Sequence, residues 1–311
     1  MYKRILVSLD GSMLAEIALP YAKEIARHFG SEVTLIHVTT PSEDISKFEH
    51  RAYLTKITAE TEQQIKKSAD LPPGEKFKVK SAIIDSPGLF THPAEQILDY
   101  ADKENSSLIV MATHGITGIR RWALGSTANN VARAFKCPLL LVRANPKLPK
   151  SVHFSNILVP LDGSIQSEAV LPYIVNLVTK IKSKVNLLGV VELLYHLYPY
   201  SEPVLGYYGA AGMVKIPYTD EEMKPMKEVA EKYIKSVSEK LTAEGIKASY
   251  EVKIGSPGME IIKAEEKMHP DIVAMSTHGH SGFGRFEHGS VTDKVLHAGK
   301  TPLLLVRPKK K

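Results

Sequence analysis

Leu108-Ile109-Val110-Met111-Ala112-Thr113-His114-Gly115, nine further residues and then Gly125-Ser126 make up one stretch of this chain. Asp271-Ile272-Val273-Ala274-Met275-Ser276-Thr277-His278-Gly279, nine further residues and then Gly289-Ser290 make up another. In each, an apolar run ends at a glycine, and after the gap a Gly-Ser pair opens a helical pattern. A short, continuous apolar run suits a strand covered on both faces. The reading is a buried strand, a phosphate-sized loop and a helix start. Its recurrence makes the chain a tandem repeat.

Working outward, Lys3 to Asp10 reads as a strand around Ile5-Leu6-Val7, stopped by Asp10-Gly11-Ser12. One helix is expected after it, with Leu14, Ala18, Ala22, Ile25, Ala26 and Phe29 on its apolar face and Gly30 as its C-cap. Val33 to Val38 is the second strand, Pro41 to Ala69 a loop and a polar helix, and Phe77 to Ile84 the third strand. Pro93 to Lys103 is a helix with proline in its first turn. Leu108 to Met111 is the fourth strand, Ser126 to Phe135 a helix and Leu139 to Val142 the fifth strand. The second half repeats the order: Asn156 to Ser164 matches Arg4 to Ser12, Leu171-Pro172-Tyr173 matches Leu19-Pro20-Tyr21, and Leu303 to Val306 is the last strand. This alternation predicts an α/β fold of two tandem doubly wound domains. Each is a five-stranded parallel sheet in the order 3-2-1-4-5 with helices on both faces. The expected domains are 1–144 and 154–308, joined by a proline- and lysine-rich linker, 145–153, with a basic tail at 309–311. The halves differ by an extra turn around Ser86 to Thr91 and by an insertion, 195–219, rich in tyrosine and glycine. That insertion is expected to be a loop over a sheet edge or the partner domain, with a lid or interaction surface as the alternative.

Among 311 residues, 43% are hydrophobic and 24% charged, an ordinary globular balance. The net charge of +6 suits small anionic ligands or plain solubility; no aromatic-plus-basic groove pattern argues for nucleic acid. The single cysteine, Cys137, forms no internal disulfide, which points to a reducing compartment. The apolar run at the N-terminus is too short for a signal peptide, and none approaches the ~20 residues of a membrane helix. A cytoplasmic protein without membrane partners is expected.

In sheets of this order, ligands sit beyond the carboxyl ends of the strands where the strand order reverses, here between strands one and four. That places Asp10 beside Thr113-His114-Gly115, and Asp162 beside Thr277-His278-Gly279. An aspartate at a strand tip accepts two hydroxyl donors, which suits a ribose. Gly115 and Gly279 let the backbone approach a ligand. Gly125-Ser126 and Gly289-Ser290, followed by Thr127 and Val291, open helices whose free N–H groups and dipole favour a phosphate. The serine hydroxyls add a donor or a ligand for Mg2+. Asp10 and Asp162 also fit simple turns; Ser126 and Ser290 also fit N-caps, Ser290 with Asp293 in capping-box spacing. Recurrence of the whole set in both halves favours a nucleotide site. His114 and His278 suit either a phosphate contact or a structural role. Neither G-x-G-x-x-G after the first strand nor G-x-x-x-x-G-K-[ST] is present. No zinc spacing and no nucleophile or acid–base arrangement stands out, so no catalytic or metal-ligating residue is assigned.

These motifs resemble those of the universal stress protein family in its tandem two-domain form, over nearly the whole chain apart from the linker, the insertion and the tail. The resemblance implies ATP as ligand, held by G-x-x-G, nine residues, then G-[ST]. Ala112 and Ser276 stand at the first glycine, and both are small enough to keep backbone contacts. The resemblance also implies a backbone contact to adenine just after strand two, at Val38 and Val190. It implies that the final strands pair across a dimer, so that the two halves form a pseudo-dimer within the chain, with a homodimer as a further arrangement. Arg285-Phe286-Glu287-His288 replaces Arg121-Trp122-Ala123-Leu124 and brings a carboxylate toward the phosphates, so the first half is expected to be the better site. The expected function is an ATP-binding stress sensor or regulator; a nucleotide-independent interaction module and a slow ATPase are the alternatives.

Overall fold

The computed structural model describes residues 1–39, 47–68, 78–86, 92–114, 124–143, 149, 151–200, 212–278 and 289–308. The first half runs β1 (Arg4–Leu9), α1 (Met13–Glu16), α2 (Ala18–Phe29), β2 (Glu32–Thr39), α3 (Lys47–Ser68), β3 (Val79–Asp85), α4 (Pro93–Lys103), β4 (Leu108–Ala112), α5 (Ser126–Ala134) and β5 (Leu139–Val142). The second runs β6 (Asn156–Leu161), α6 (Ile165–Glu168), α7 (Leu171–Ile181), β7 (Lys184–Val191), β8 (Tyr195–Tyr200), β9 (Gly212–Pro217), α8 (Asp220–Ala243), β10 (Lys247–Ile254), α9 (Pro257–Met268), β11 (Ile272–Ser276), α10 (Ser290–Ala298) and β12 (Leu303–Val306).

Within each half the strands are parallel and follow the expected 3-2-1-4-5 order: β3-β2-β1-β4-β5 and β10-β7-β6-β11-β12. The last strands of the two halves pair antiparallel, Leu140 opposite Leu304, so all ten lie in one sheet. The continuous apolar runs are explained by the two layers they feed. On β1, Ile5, Val7 and Leu9 point into one core, shared with Ala22 and Ile25 of α2, while Leu6 enters the other, with Ile97 of α4 and Val131 of α5. On β4, Leu108 and Val110 join the first layer, Ile109 and Met111 the second. Full burial of each such side chain stabilises the fold by about 1.5–3 kcal/mol, so a polar residue at any of these positions is costly.

The helix expected over Leu14 to Phe29 is broken at Ile17 into α1 and α2. The cause is Pro20, which has no N–H to donate to the Glu16 carbonyl and so interrupts the ladder. Pro172 does the same at Glu168, between α6 and α7. The insertion is not simply a loop. Its tyrosines and β-branched residues form the antiparallel hairpin β8–β9, a separate two-stranded sheet that exposes Leu197, Tyr198, Met213, Val214 and Ile216. Its base is tied to α8: the His196 ring stacks on Tyr218 at 4.2 Å and pairs with Glu222 at 2.8 Å, and Thr219 with Glu222 forms a capping box. Tyr207 and Tyr208, and most of the extra turn around Ser86 to Thr91, lie outside the described residues.

Two arginines bind the halves across the β5–β12 seam. Arg143, just after β5, donates from Nη2 to the Val295 carbonyl at 2.8 Å, from Nε to that of Thr301 at 3.2 Å, and from Nη1 to that of Leu296. These carbonyls lie at and just beyond the C-terminal end of α10, where a cation is favoured. Burial pulls the Arg143 guanidinium down to about 10, with the Glu265 charge opposing, so it stays charged at neutral pH. Arg307, just after β12, reciprocates at α5: it donates to the Arg133 carbonyl and lies over the Phe135 ring at 5.2 Å. Among the described residues no helix is long and apolar enough to cross a membrane.

Candidate functional site

β1 pairs with β2 on one side and β4 on the other, and β6 likewise with β7 and β11. The connections leaving these neighbours diverge to opposite faces of the sheet, so a crevice opens beyond each central strand. In the first half it is a cavity of about 350 Å³ lined by Asp10, Val38, Ala112, His114, Gly125, Ser126 and Thr127. In the second it is about 370 Å³, lined by Asp162, Val190, Ser276, His278, Gly289, Ser290 and Val291. Both volumes fall in the range of small-ligand sites, about 300–1,000 Å³. The fold thus brings together every described residue that the sequence put forward for the site. Gly115 and Gly279 lie outside the described residues, as do Arg285 and Glu287.

Each aspartate is held by its own turn. The Ser12 N–H and hydroxyl both donate to Asp10 Oδ1, at 3.0 and 2.6 Å; those of Ser164 donate to Asp162 Oδ1 at 2.9 and 2.6 Å. Gly11 and Gly163, at φ +81° and +85°, supply the left-handed residue these turns need. The same serine hydroxyls cap the following short helices, accepting from the Ala15 and Ser167 amides. The aspartates are therefore turn residues as well as cavity residues, and the serine fixes the carboxylate's direction.

At the other wall, α5 and α10 begin at Gly125 and Gly289, neither with a side-chain cap. Ser126 and Ser290 are therefore first-turn residues and not N-caps, and Ser290 forms no capping box with Asp293. The Asp293 amide instead donates to the Gly289 carbonyl at 2.9 Å. The amides of Ser126, Thr127 and Ala128, which cannot bond within the helix, belong to residues lining the cavity. Gly125 has a second reason to be glycine. A Cβ there would sit 2.9 Å from the Thr113 carbonyl oxygen, to which its own N–H already donates at 2.9 Å. In the second half the Thr292 hydroxyl ties α10 to the tip of β11, donating to the carbonyls of Ser276 and Thr277 at 3.1 and 3.3 Å; Ala128 holds the matching place in the first.

The two histidines repeat one geometry. His114 Nδ1 lies 3.1 Å from Thr113 Oγ1, and His278 Nδ1 lies 2.9 Å from Thr277 Oγ1. His114 Nε2 is buried and has no hydrogen-bond partner among the described residues. Sequence reasoning missed His37, which lines the first cavity and is buried with its ring stacked on His50 at 4.1 Å, and Glu192, which lines the second. His37 adjoins Val38 on a continuous strand and Glu192 follows β7, so proximity to the expected adenine contact was the available signal. Among the described residues no group of three or more His, Cys, Asp or Glu is placed to hold a metal ion.

The family model for the Universal stress protein family matches residues 1–143 and again residues 153–307. Universal stress protein MJ0531 of Methanocaldococcus jannaschii is 31% identical over 154 residues, 47% of this chain and 85% of that protein. Universal stress protein Rv2005c of Mycobacterium tuberculosis is 21% identical over 320 residues, covering 97% of this chain and 96% of its own length. A universal stress protein structure from Archaeoglobus fulgidus superposes with a TM-score of 0.63 at 18% identity, covering 99% of each chain, which bears on the fold alone.

Proposed function

This chain belongs to the universal stress protein family, and we propose that it binds an adenine nucleotide, ATP first, in the crevice of each half and acts as a nucleotide-dependent regulator in a stress response. The observation that carries this is the convergence, twice in one chain, of a serine-held aspartate and an uncapped, glycine-started helix on one cavity. Adenine would lie against the backbone at Val38 or Val190, the ribose hydroxyls on Asp10 or Asp162, and the phosphates on the amides of Ser126-Thr127 or Ser290-Val291. The hydroxyls of Ser126 and Ser290 are the groups that would meet a Mg2+ carried by the triphosphate. No general base is assigned, so hydrolysis is not part of the proposal. The β5–β12 pairing supports reading the halves as an intramolecular pseudo-dimer; it occupies both of those edges, so a homodimer would need another surface. A cytoplasmic location goes with this reading.

The test is direct. Denaturing the freshly purified chain should release a nucleotide identifiable by mass and absorbance. Calorimetric titration of the emptied protein with Mg-ATP should then show two sites, with Asp10→Ala and Asp162→Ala each removing one. No released nucleotide and no heat at millimolar ATP would refute the reading. It would favour instead a nucleotide-independent interaction module, for which the exposed apolar hairpin β8–β9 is the supporting observation.

A further inference from the structure

One side-chain pair outside the cavities recurs in both halves. The Tyr53 hydroxyl on α3 donates to Glu16 Oε1 at 3.1 Å, and the Tyr233 hydroxyl on α8 donates to Glu168 Oε1 at 2.9 Å. Each glutamate is the last residue of a four-residue helix, α1 or α6, whose N-cap is Ser12 or Ser164. That serine is the one that holds the cavity aspartate. A helix of four residues has too few internal bonds to stand alone, so something must dock it. The tyrosine does so at the end opposite the aspartate. In the second half the ring also lies on the side of the turn, where a side chain added at Gly163 would meet it: a Cβ there would be 3.9 Å from Tyr233 Cδ1. The pair occurs in both halves although a long insertion separates its partners in the second half and not in the first. Burial raises both phenols well above the ordinary tyrosine range, the neighbouring glutamate adding to this and the aspartate after it, so both remain donors at neutral pH.

We infer that Tyr53 and Tyr233 are positioning residues: through Glu16 and Glu168 they hold the short helix and its serine N-cap, and so aim the Asp10 and Asp162 carboxylates at the hydroxyls of a bound ribose. This rests on the nucleotide reading for its ligand but not for its geometry. The tyrosine touches no ligand; it acts through the turn. Its loss therefore lowers affinity only for ligands that use the aspartate.

The experiment uses the full chain carrying Tyr53→Phe, with Asp162→Ala as background so that only the first half reports. Without nucleotide, hydrogen exchange at the Ser12 and Ala15 amides should speed about tenfold while β1 amides stay protected. Affinity for ATP should fall about three- to tenfold, the loss of one hydrogen bond to a charged acceptor passed partly to the site. Affinity for 2′,3′-dideoxy-ATP should not change. Glu16→Gln keeps an acceptor oxygen and should retain ATP affinity, whereas Glu16→Ala should match Tyr53→Phe. Equal loss for ATP and its dideoxy analogue, or unchanged exchange at Ser12, overturns the inference. If the background chain binds no ATP at all, the nucleotide reading fails, and the exchange measurement alone decides whether the tyrosine holds the turn.

Discussion

Gly125→Ala separates two explanations of the same glycine. If Gly125 is small to make room for phosphates, a methyl there blocks the ligand and leaves the empty protein untouched. The structure gives a different expectation. Gly125 has φ −58°, so alanine suffers no backbone strain, but its Cβ would lie 2.9 Å from the Thr113 carbonyl oxygen, 0.5 Å inside ordinary van der Waals contact at 3.4 Å. That oxygen is backbone, in the residue whose N–H donates to Val142 at the end of the β4–β5 pairing, and not the far end of a flexible side chain that could turn aside. The start of α5 must move instead, stretching the Gly125–Thr113 hydrogen bond. Overpacking of this kind costs about 1–3 kcal/mol. For a chain of this size the melting temperature should fall by several degrees, at roughly 2–4 °C per kcal/mol. The amides of Ser126 and Thr127 shift with the helix, and a misplacement of about half an ångström should weaken ATP binding by roughly tenfold. Differential scanning calorimetry of the nucleotide-free chain and ATP titration test the two effects separately. Ser126→Ala is the control: it removes a hydroxyl but leaves the amides in place, and should change stability by no more than about 0.5 kcal/mol. Lost binding with an unchanged melting temperature would refute the clash with Thr113 and restore direct contact with the phosphates. No change in either would refute both.

The seam arginines should differ in weight. Arg143→Met leaves three carbonyls without their charged donor and should lower stability by about 2–4 kcal/mol, Arg307→Met by about 1 kcal/mol, read as shifts in the urea midpoint; equal shifts would contradict the clasp as described. Acid should destabilise the fold with a definite sign. Glu32 is held below the usual carboxylate range chiefly by its hydrogen bond from Lys80, and Glu251 by that from Lys253. Their contribution is present above the ordinary value of 4.5 and is lost as pH falls through the lowered ones, so the urea midpoint should be flat from about pH 8 to 6 and drop below about 4.5. Each surface pair contributes only about 0–1 kcal/mol, and a midpoint that instead declined between pH 6 and 8 would point to other groups.

Much of the candidate site was readable because its residues sit where local chemistry is punctuated. Asp10-Gly11-Ser12 and Asp162-Gly163-Ser164 stop strands, Gly125-Ser126 and Gly289-Ser290 start helices, and the parallel order carries both to one end of the sheet. His37 and Glu192 were less readable: nearness to Val38 and Val190 was a signal, but the pattern of a continuous apolar strand does not show which of its residues border the cavity. The hairpin β8–β9 is hidden in the sequence because prolines and glycines mask a period of two in a tyrosine-rich segment. The break between α1 and α2 follows from Pro20, whose effect depends on the register of the helix it enters.

The order of residues along the chain was enough to determine the repeat and the strand-helix alternation, since period and punctuation are local and the crossover hand is general; the 3-2-1-4-5 order expected for such a sheet is decided by which strands pair. Tertiary structure alone decided what lies across a gap in sequence. Arg143 of one half closes a helix of the other, Tyr53 and Tyr233 reach back to Glu16 and Glu168, and Gly125 abuts the carbonyl of Thr113. Such contacts are fixed by how twisted layers meet in space, and a one-dimensional pattern of apolar and polar residues records which faces are buried but not which atoms on them touch.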